Sequence, residues 1–285
     1  LTTLSISAAL KQATAGLKNV SGETARLDAE ILLADILCCD RIALYSKASG
    51  LDEEEKELFN AACARRALGE PTAYITGKQA FWDHDFFVSP ATLIPRQDTE
   101  TLVEVALRAL SATQTIRILD IGTGTGCILL SLLAERPNAE GVGLDISREA
   151  LDVAEKNAAL VGVQERSFFI ESSWFSGLPA EQQKFDCIVS NPPYIPRNDI
   201  DGLMTDVRNF EPMSALDGGA DGLIAYREIC SNALCYLKEG GSLSVEIGIG
   251  QAADVASLFA AAGFKSIETI QDLPGIERIV TGKKS

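Results

Sequence analysis

The sequence predicts an α/β protein: a mostly parallel sheet with an antiparallel last strand, preceded by a small helical domain. Three observations predict it. From Thr115 onward, short β-rich runs alternate with amphipathic stretches, the pattern of strands joined by covering helices. The last two runs, Lys265–Gln271 and Glu277–Thr281, are separated by only a few residues around Pro274-Gly275, too few for a parallel crossover. The first part of the chain reads as helices.

In that first part, Leu27, Ile31, Ala34 and Cys38 recur at helical spacing, with Thr24 placed to cap the start. A second helix is expected from Asp52 to Leu68: Asp52 is a cap, Glu53 to Glu55 suit the positive end of the helix dipole, and Gly69 and Pro71 stop it. Lys78–Val88 has aromatic and β-branched residues on both sides of Asp83-His84 and reads as a hairpin. The expected divisions are 1–77 helical, 78–95 a hairpin linker and 96–285 the α/β domain. Within the last, strands are expected at Ile116–Ile121, Gly141–Asp145, Ser167–Ile170, Phe185–Ser190 and Ser242–Ile247. Helices are expected at Cys127–Ala134, Ser147–Val161, Leu223–Leu237 and Gln251–Ala262. Asn198–Gly222 is a long loop, and loops of that length in compact domains are often functional.

Composition narrows the chemistry. The 285 residues suffice for two domains, and no apolar run is long enough to span a bilayer. No basic segment followed by an apolar block marks a secretory signal at the N-terminus. Seven cysteines without CxxC spacing argue against a disulfide framework or a zinc site and for buried thiols in a reducing cytoplasm. A single histidine, His84, removes histidine-rich metal centres, and no metal ligand set is expected. Acidic residues outnumber basic ones by 40 to 25, a net charge of −15, with Arg65-Arg66 and Lys283-Lys284 the only adjacent basic pairs. Proteins that grip a phosphate backbone usually carry a basic patch, so this balance disfavours direct nucleic-acid contact.

Two motifs carry the chemistry. Asp120-Ile-Gly122-Thr123-Gly124-Thr125-Gly126 sits between a strand and a helix, where glycines allow a sharp turn and close approach of a ligand. A dinucleotide fingerprint would place its third glycine at 127, which is Cys127. The acidic Asp120 suits a ligand with a positively charged amino-acid end, and Asp145, ending the next strand, can accept both hydroxyls of a ribose. Together they point to S-adenosylmethionine. Asn191-Pro192-Pro193-Tyr194 follows the strand Phe185–Ser190 and so lies at the same edge of the sheet. Its prolines make a rigid segment. The Asn191 side-chain oxygen and the Pro192 carbonyl can hold both hydrogens of a planar NH₂ group, with Tyr194 against its face. That constellation suits methylation of an amide or amine nitrogen.

Arg26-Leu-Asp-Ala-Glu-Ile-Leu-Leu33, Gly69-Glu-Pro71, Tyr74-Ile75 with Gly77, and Thr92-Leu-Ile-Pro-Arg96 with Asp98-Thr-Glu100 resemble segments of the HemK/PrmC family. These are the peptide chain release factor N5-glutamine methyltransferases. Phe210-Glu-Pro212, Ala215-Leu216, Asp217–Leu223 and Glu246-Ile-Gly248 with Gln251 resemble its later motifs. The resemblance implies a class I S-adenosylmethionine-dependent methyltransferase fold, Rossmann-like, behind a helical domain that recognises class I release factors. The acceptor it implies is the glutamine of their Gly-Gly-Gln tripeptide. It further implies that Gly122 to Gly126 and Asp145 bind the cofactor and that Trp174 packs on its adenine. Asn191 would contact cofactor and substrate, and Pro192, Pro193 and Tyr194 would complete the amide pocket. Two positions depart from the family pattern. Gln97 stands where proline is usual, and Ser173 where aspartate is usual; serine offers the adenine amine a weaker acceptor. Two other readings use the same motifs: a nucleic-acid amino-methyltransferase, which calls for a basic face, and a non-catalytic binding module, against which the intact Asn191–Tyr194 run argues.

Overall fold

The computed structural model describes residues 4–46, 49–179 and 184–285. Chain contacts gather them into two units, one comprising residues up to Lys78 with Met204–Phe210, the other Gln79–Leu203 with Glu211–Ser285.

The first unit is helical: α1 (Ile6–Ser21), α2 (Ala25–Ile36), α3 (Glu53–Ala67) and α4 (Thr72–Thr76). Ile6, Leu10, Leu17, Leu32, Leu33 and Phe59 form its core. The sequence pattern misjudged α2. Leu27 and Cys38 are exposed, and the buried face instead carries Asp28, Ala29, Leu32 and Leu33. The reason is a buried ion pair: Arg66 of α3 donates to Asp28 Oδ2 at 2.8 Å, and the Ser21 hydroxyl donates to the same oxygen at 2.7 Å. A charge can face the core when it is paired and hydrogen-bonded. Thr24 does not cap α2; its hydroxyl donates to the Ser21 carbonyl. Asp52 does cap α3, in a reciprocal capping box with Glu55. A further short helix, α8 (Thr205–Phe210), belongs to this unit rather than to the α/β one. Its Asp206 lies 3.9 Å from Arg66 Nη2, and its Phe210 side chain covers Gly69.

The second unit opens with the hairpin β1 (Lys78–Phe81) and β2 (His84–Phe87), which from Gln79 is part of this unit. It continues with α5 (Glu100–Ala109), β3 (Ile116–Ile121), α6 (Cys127–Glu135), β4 (Ala139–Asp145), α7 (Arg148–Val161), β5 (Ser167–Glu171), β6 (Phe185–Ser190), α9 (Ile224–Tyr236), β7 (Leu237–Glu246), α10 (Ala252–Ala262), β8 (Lys265–Gln271) and β9 (Glu277–Lys283). The sheet order is β5-β4-β3-β6-β7-β9-β8. Strands β3 to β7 pair in parallel, and β9 runs antiparallel to both β7 and β8. This is the mostly parallel sheet with a reversed last strand that the alternation predicts, the class I methyltransferase fold. Strand β7 begins five residues earlier than expected, because Gly240 turns within it at φ 77° instead of ending it.

The central strands β3 and β6 are buried on both faces. Ile118, Cys187 and Val189 pack with Leu102, Ala106, Leu129 and Leu132 of α5 and α6. Leu119, Ile121, Ile188 and Val245 pack with Tyr226, Ile229, Val255 and Phe259 of α9 and α10. Sheets buried on both faces need such continuous apolar strands. From β3 the chain continues to β4 on one side and, later, β6 lies on the other. The carboxyl ends of β3, β4 and β6 therefore border the switch point where α/β folds bind ligands.

Candidate active site

Strand β3 ends in the glycine loop. Gly122 and Gly124 have φ of 71° and 54°, and a side chain there would meet nothing within 4 Å, so it is conformation that demands glycine. The N–H groups of Gly122 and Thr123 both donate to the Leu144 carbonyl at 2.8 Å, locking the loop to β4. Asp145, the last residue of β4, accepts from Gly124 N–H at 2.9 Å through Oδ2 and from Ser147 N–H at 3.0 Å through Oδ1. Each carboxylate oxygen keeps a lone pair for a further donor. Burial raises the Asp145 pKa, and these backbone N–H groups oppose it.

The tetrapeptide leaves β6 beside this loop. The Ser190 hydroxyl donates to the Ile121 carbonyl at 2.6 Å, tying the ends of β6 and β3. Asn191 Nδ2 donates to Thr99 Oγ1 at 3.2 Å. The Tyr194 hydroxyl reaches Glu246 Oε1 at 3.4 Å, and the Tyr194 carbonyl accepts from Gln251 Nε2 at 3.0 Å. The loop Asp217–Gly222 packs directly on this backbone: a Cβ at Gly218 would sit 2.8 Å from the Tyr194 Cα, so only glycine fits.

A cavity of about 280 Å³ opens at this edge. Gly122, Thr123, Gly124, Thr125, Asp145, Ser173, Trp174, Asn191 and Pro193 line it. Four residues expected at the site do not: Asp120, Gly126, Pro192 and Tyr194. Gly126 is under Leu130 and Ala154. The Tyr194 hydroxyl is turned toward Glu246. Asp120 is fully buried behind the loop, where Oδ2 accepts from the Thr123 hydroxyl at 2.7 Å and Oδ1 has no hydrogen-bond partner among the described residues. The alternation of β3 explains it: Ile116, Ile118 and Asp120 share the face that packs on α5 and α6.

Burial pushes the Asp120 carboxyl up to about 7; the Thr123 hydroxyl opposes this and Asp145 adds to it. A carboxyl raised in the folded state favours folding fully at pH values below its unfolded pKa. That contribution disappears as pH rises through about 7. Asp120→Asn is therefore expected to lose less thermal stability than the parent protein between about pH 5 and pH 8. Melting curves at both pH values check this, and equal losses would contradict it.

Sequence reasoning missed several residues. Thr99 and Arg96 line the cavity, Arg96 as the one basic lining residue among those described. Arg96 is held by the buried Glu211, whose other oxygen accepts from Ile94 N–H at 3.3 Å. Pro212, Ala215 and Asp217, from the long loop, also line it. Asn157, buried on α7, accepts from Phe87 N–H at 2.7 Å and donates to the Phe87 and Thr125 carbonyls at 2.9 Å each. The available signal was a lone amide on an otherwise apolar helix face. Among the described residues no group of three or more histidine, cysteine or acidic side chains could hold a metal, and no helix is long and apolar enough to cross a membrane.

Family models match both parts of the chain: a PrmC N-terminal domain over residues 8–77 and a methyltransferase domain over residues 112–249. The chain is 46% identical over 262 residues to a release factor glutamine methyltransferase of Geobacter sulfurreducens, covering 92% of this chain and 90% of that one. It is 45% identical to the protein of the same name from Bradyrhizobium diazoefficiens, covering 98% and 95%. Among solved structures, it resembles the hMettl16 catalytic domain at 16% identity and a TM-score of 0.57, covering 79% of this chain and 82% of that one. It resembles a Pyrococcus furiosus methyltransferase at 15% identity and a TM-score of 0.53, covering 72% and 91%. These two likenesses concern the fold. With identity above two-fifths along nearly the whole of such relatives, the chain belongs to the release factor glutamine methyltransferase family.

Proposed function

We propose that this protein transfers a methyl group from S-adenosylmethionine to the side-chain amide nitrogen (N5) of the glutamine in the Gly-Gly-Gln tripeptide of class I peptide chain release factors. It does so in the cytoplasm and without direct contact to nucleic acid. The helical unit, read from the sequence as 1–77 and joined by Met204–Phe210, serves as the recognition domain for the release factor; the methyltransferase domain, read as 96–285, is the second unit, which takes in the hairpin from Gln79 and omits Met204–Phe210.

The observation that carries the reading is Asn191 at the wall of the cavity, with its NH₂ group turned to Thr99. That leaves Oδ1 as an acceptor. The Pro192 carbonyl takes no hydrogen bond from the described residues and, although Pro192 is not among the residues lining the cavity, it is the second acceptor in this reading, next in the chain to Asn191. Two fixed acceptors hold both hydrogens of a primary amide, orient its nitrogen and exclude water from it. An amide nitrogen is a weak nucleophile because its lone pair is delocalised. Acceptors on both hydrogens place negative potential where positive charge builds as the nitrogen gains carbon. As the N–C bond forms, the nitrogen gives up one of its two held protons to solvent water, which restores the neutral amide.

The residues present fit the cofactor. Asp145 has lone pairs for two ribose hydroxyls, and the indole of Trp174 with Ile146 offers an apolar slot for adenine. Ser173 can accept from the adenine amine, and Arg96 supplies a counter-charge for a carboxylate. Gly122 and Gly124 keep the wall free of side chains. Asp120 acts one step back, through Thr123. When bound, S-adenosylmethionine supplies an electrophilic methyl on a sulfonium.

A release factor and a structured RNA, each incubated with the protein and methyl-labelled cofactor, test this reading. Label on the release factor and none on the RNA is expected; label on the RNA alone would overturn it.

A further inference from the structure

Asn191 serves as an acceptor only if its amide faces the right way, and the side chain is symmetric enough to sit either way round. What fixes it lies behind it. Thr99 and Glu246 are both about 2% exposed. Asn191 Nδ2 donates to Thr99 Oγ1, and the Thr99 hydroxyl is in turn a hydrogen-bonding neighbour of the Glu246 carboxylate. Glu246 accepts from the Tyr194 hydroxyl through Oε1, while Oε2 is buried with no partner at hydrogen-bonding geometry among the described residues. A buried, unpartnered carboxylate oxygen draws the nearest hydroxyl hydrogen. Thr99 has only one hydrogen. Once that hydrogen faces Glu246, only lone pairs face Asn191.

We propose that Thr99 and Glu246 act as positioning residues that set which end of the Asn191 amide faces the substrate. The proposal rests on the assignment of Asn191 to the amide pocket. An ionised Glu246 makes Thr99 an acceptor, so Asn191 turns its NH₂ inward and its Oδ1 to the cavity. A protonated Glu246 no longer draws the Thr99 hydrogen. Thr99 can then donate to Asn191, which turns its NH₂ to the cavity and loses its grip on the substrate amide. The charged and titratable groups that act on the Glu246 carboxylate are Asp98 before α5, Tyr194 after β6, Tyr226 of α9, Cys127 of α6 and Arg278 of β9. Burial pushes the Glu246 carboxyl up to about 7, with Thr99 and Arg278 opposing and Asp98 adding. The switch therefore falls near neutral pH.

Two measurements test the proposal. In ¹⁵N spectra of the free protein, the Asn191 side-chain NH₂ is assigned by its loss in Asn191→Asp. It is expected to be protected from exchange in the wild type and in Thr99→Ser, and unprotected in Thr99→Val. Protection is expected to titrate near pH 7 in the wild type and not in Glu246→Gln. In turnover with release factor, Thr99→Val is expected to lower kcat about tenfold or more, with cofactor Kd by calorimetry within about threefold. Thr99→Ser is expected to recover most of that loss, and the fall in kcat below about pH 7 should disappear in Glu246→Gln. Unchanged protection in Thr99→Val would overturn the proposal, as would a Thr99→Ser as impaired as Thr99→Val. The spectra need no substrate, so a wild type inactive on release factor would refute the proposed function while the positioning claim is still decided by exchange.

Discussion

Asn191→Ala is expected to lower kcat by roughly 10²–10³-fold, the scale seen when one preorganised polar group is removed from a reacting centre. The alanine removes an acceptor from a nitrogen that otherwise keeps its hydrogens in water. It removes little from the fold, because Asn191 is half-buried and its side chain makes one hydrogen bond among the described residues, to Thr99. The stability cost should be about 1 kcal/mol. The expected signature is lost turnover in a protein that melts near the parent temperature and still binds cofactor. Steady-state kinetics with calorimetric cofactor binding check it. Turnover close to wild type would remove Asn191 from the chemistry, and an unfolded variant would make it a structural residue.

Asn157→Leu is expected to act in the opposite way, through the fold. Leucine matches asparagine in shape, but it leaves the Phe87 N–H and the Phe87 and Thr125 carbonyls without partners. Each buried group left unsatisfied costs on the order of 1–3 kcal/mol, so the loss for the three is about 3–9 kcal/mol, a large share of a typical domain's stability. Because Thr125 lines the cavity, weaker cofactor binding should accompany the loss. Urea unfolding with and without cofactor measures both. A midpoint unchanged from the parent would show that water or a shifted backbone satisfies these groups.

The contrast between the two residues says what was legible in the sequence. Asn191 stands in a rigid tetrapeptide at the end of an apolar strand, and both signals are local. The parallel strands, the glycine loop, the Asp52 and Ser147 caps and the reversed last strand were legible for the same reason. Asn157 acts on Phe87, 70 residues away, and Thr99 on Asn191, 92 residues away. No local pattern announces such partners. Buried charge misled the reading of α2, because Asp28 faces inward only when Arg66 is there to meet it. The α8 segment lies far along the chain from the helical unit it joins, through Asp206 beside Arg66. Asp120 is a different case. Its position was readable: two residues after Ile118 on a strand, it must share that residue's face, which is packed under helices. The motif pointed to the cofactor; the alternation pointed behind it.

The cavity is proposed to hold a glutamine side-chain amide presented by a protein loop. The most direct measurement is peptide mass spectrometry of a class I release factor after incubation with this protein and S-adenosylmethionine. The predicted result is one added methyl on the glutamine of the Gly-Gly-Gln peptide, and none when Asn191→Ala replaces the parent protein. A methyl on any other residue, or an unmodified Gly-Gly-Gln glutamine after incubation with the active parent protein, would contradict it.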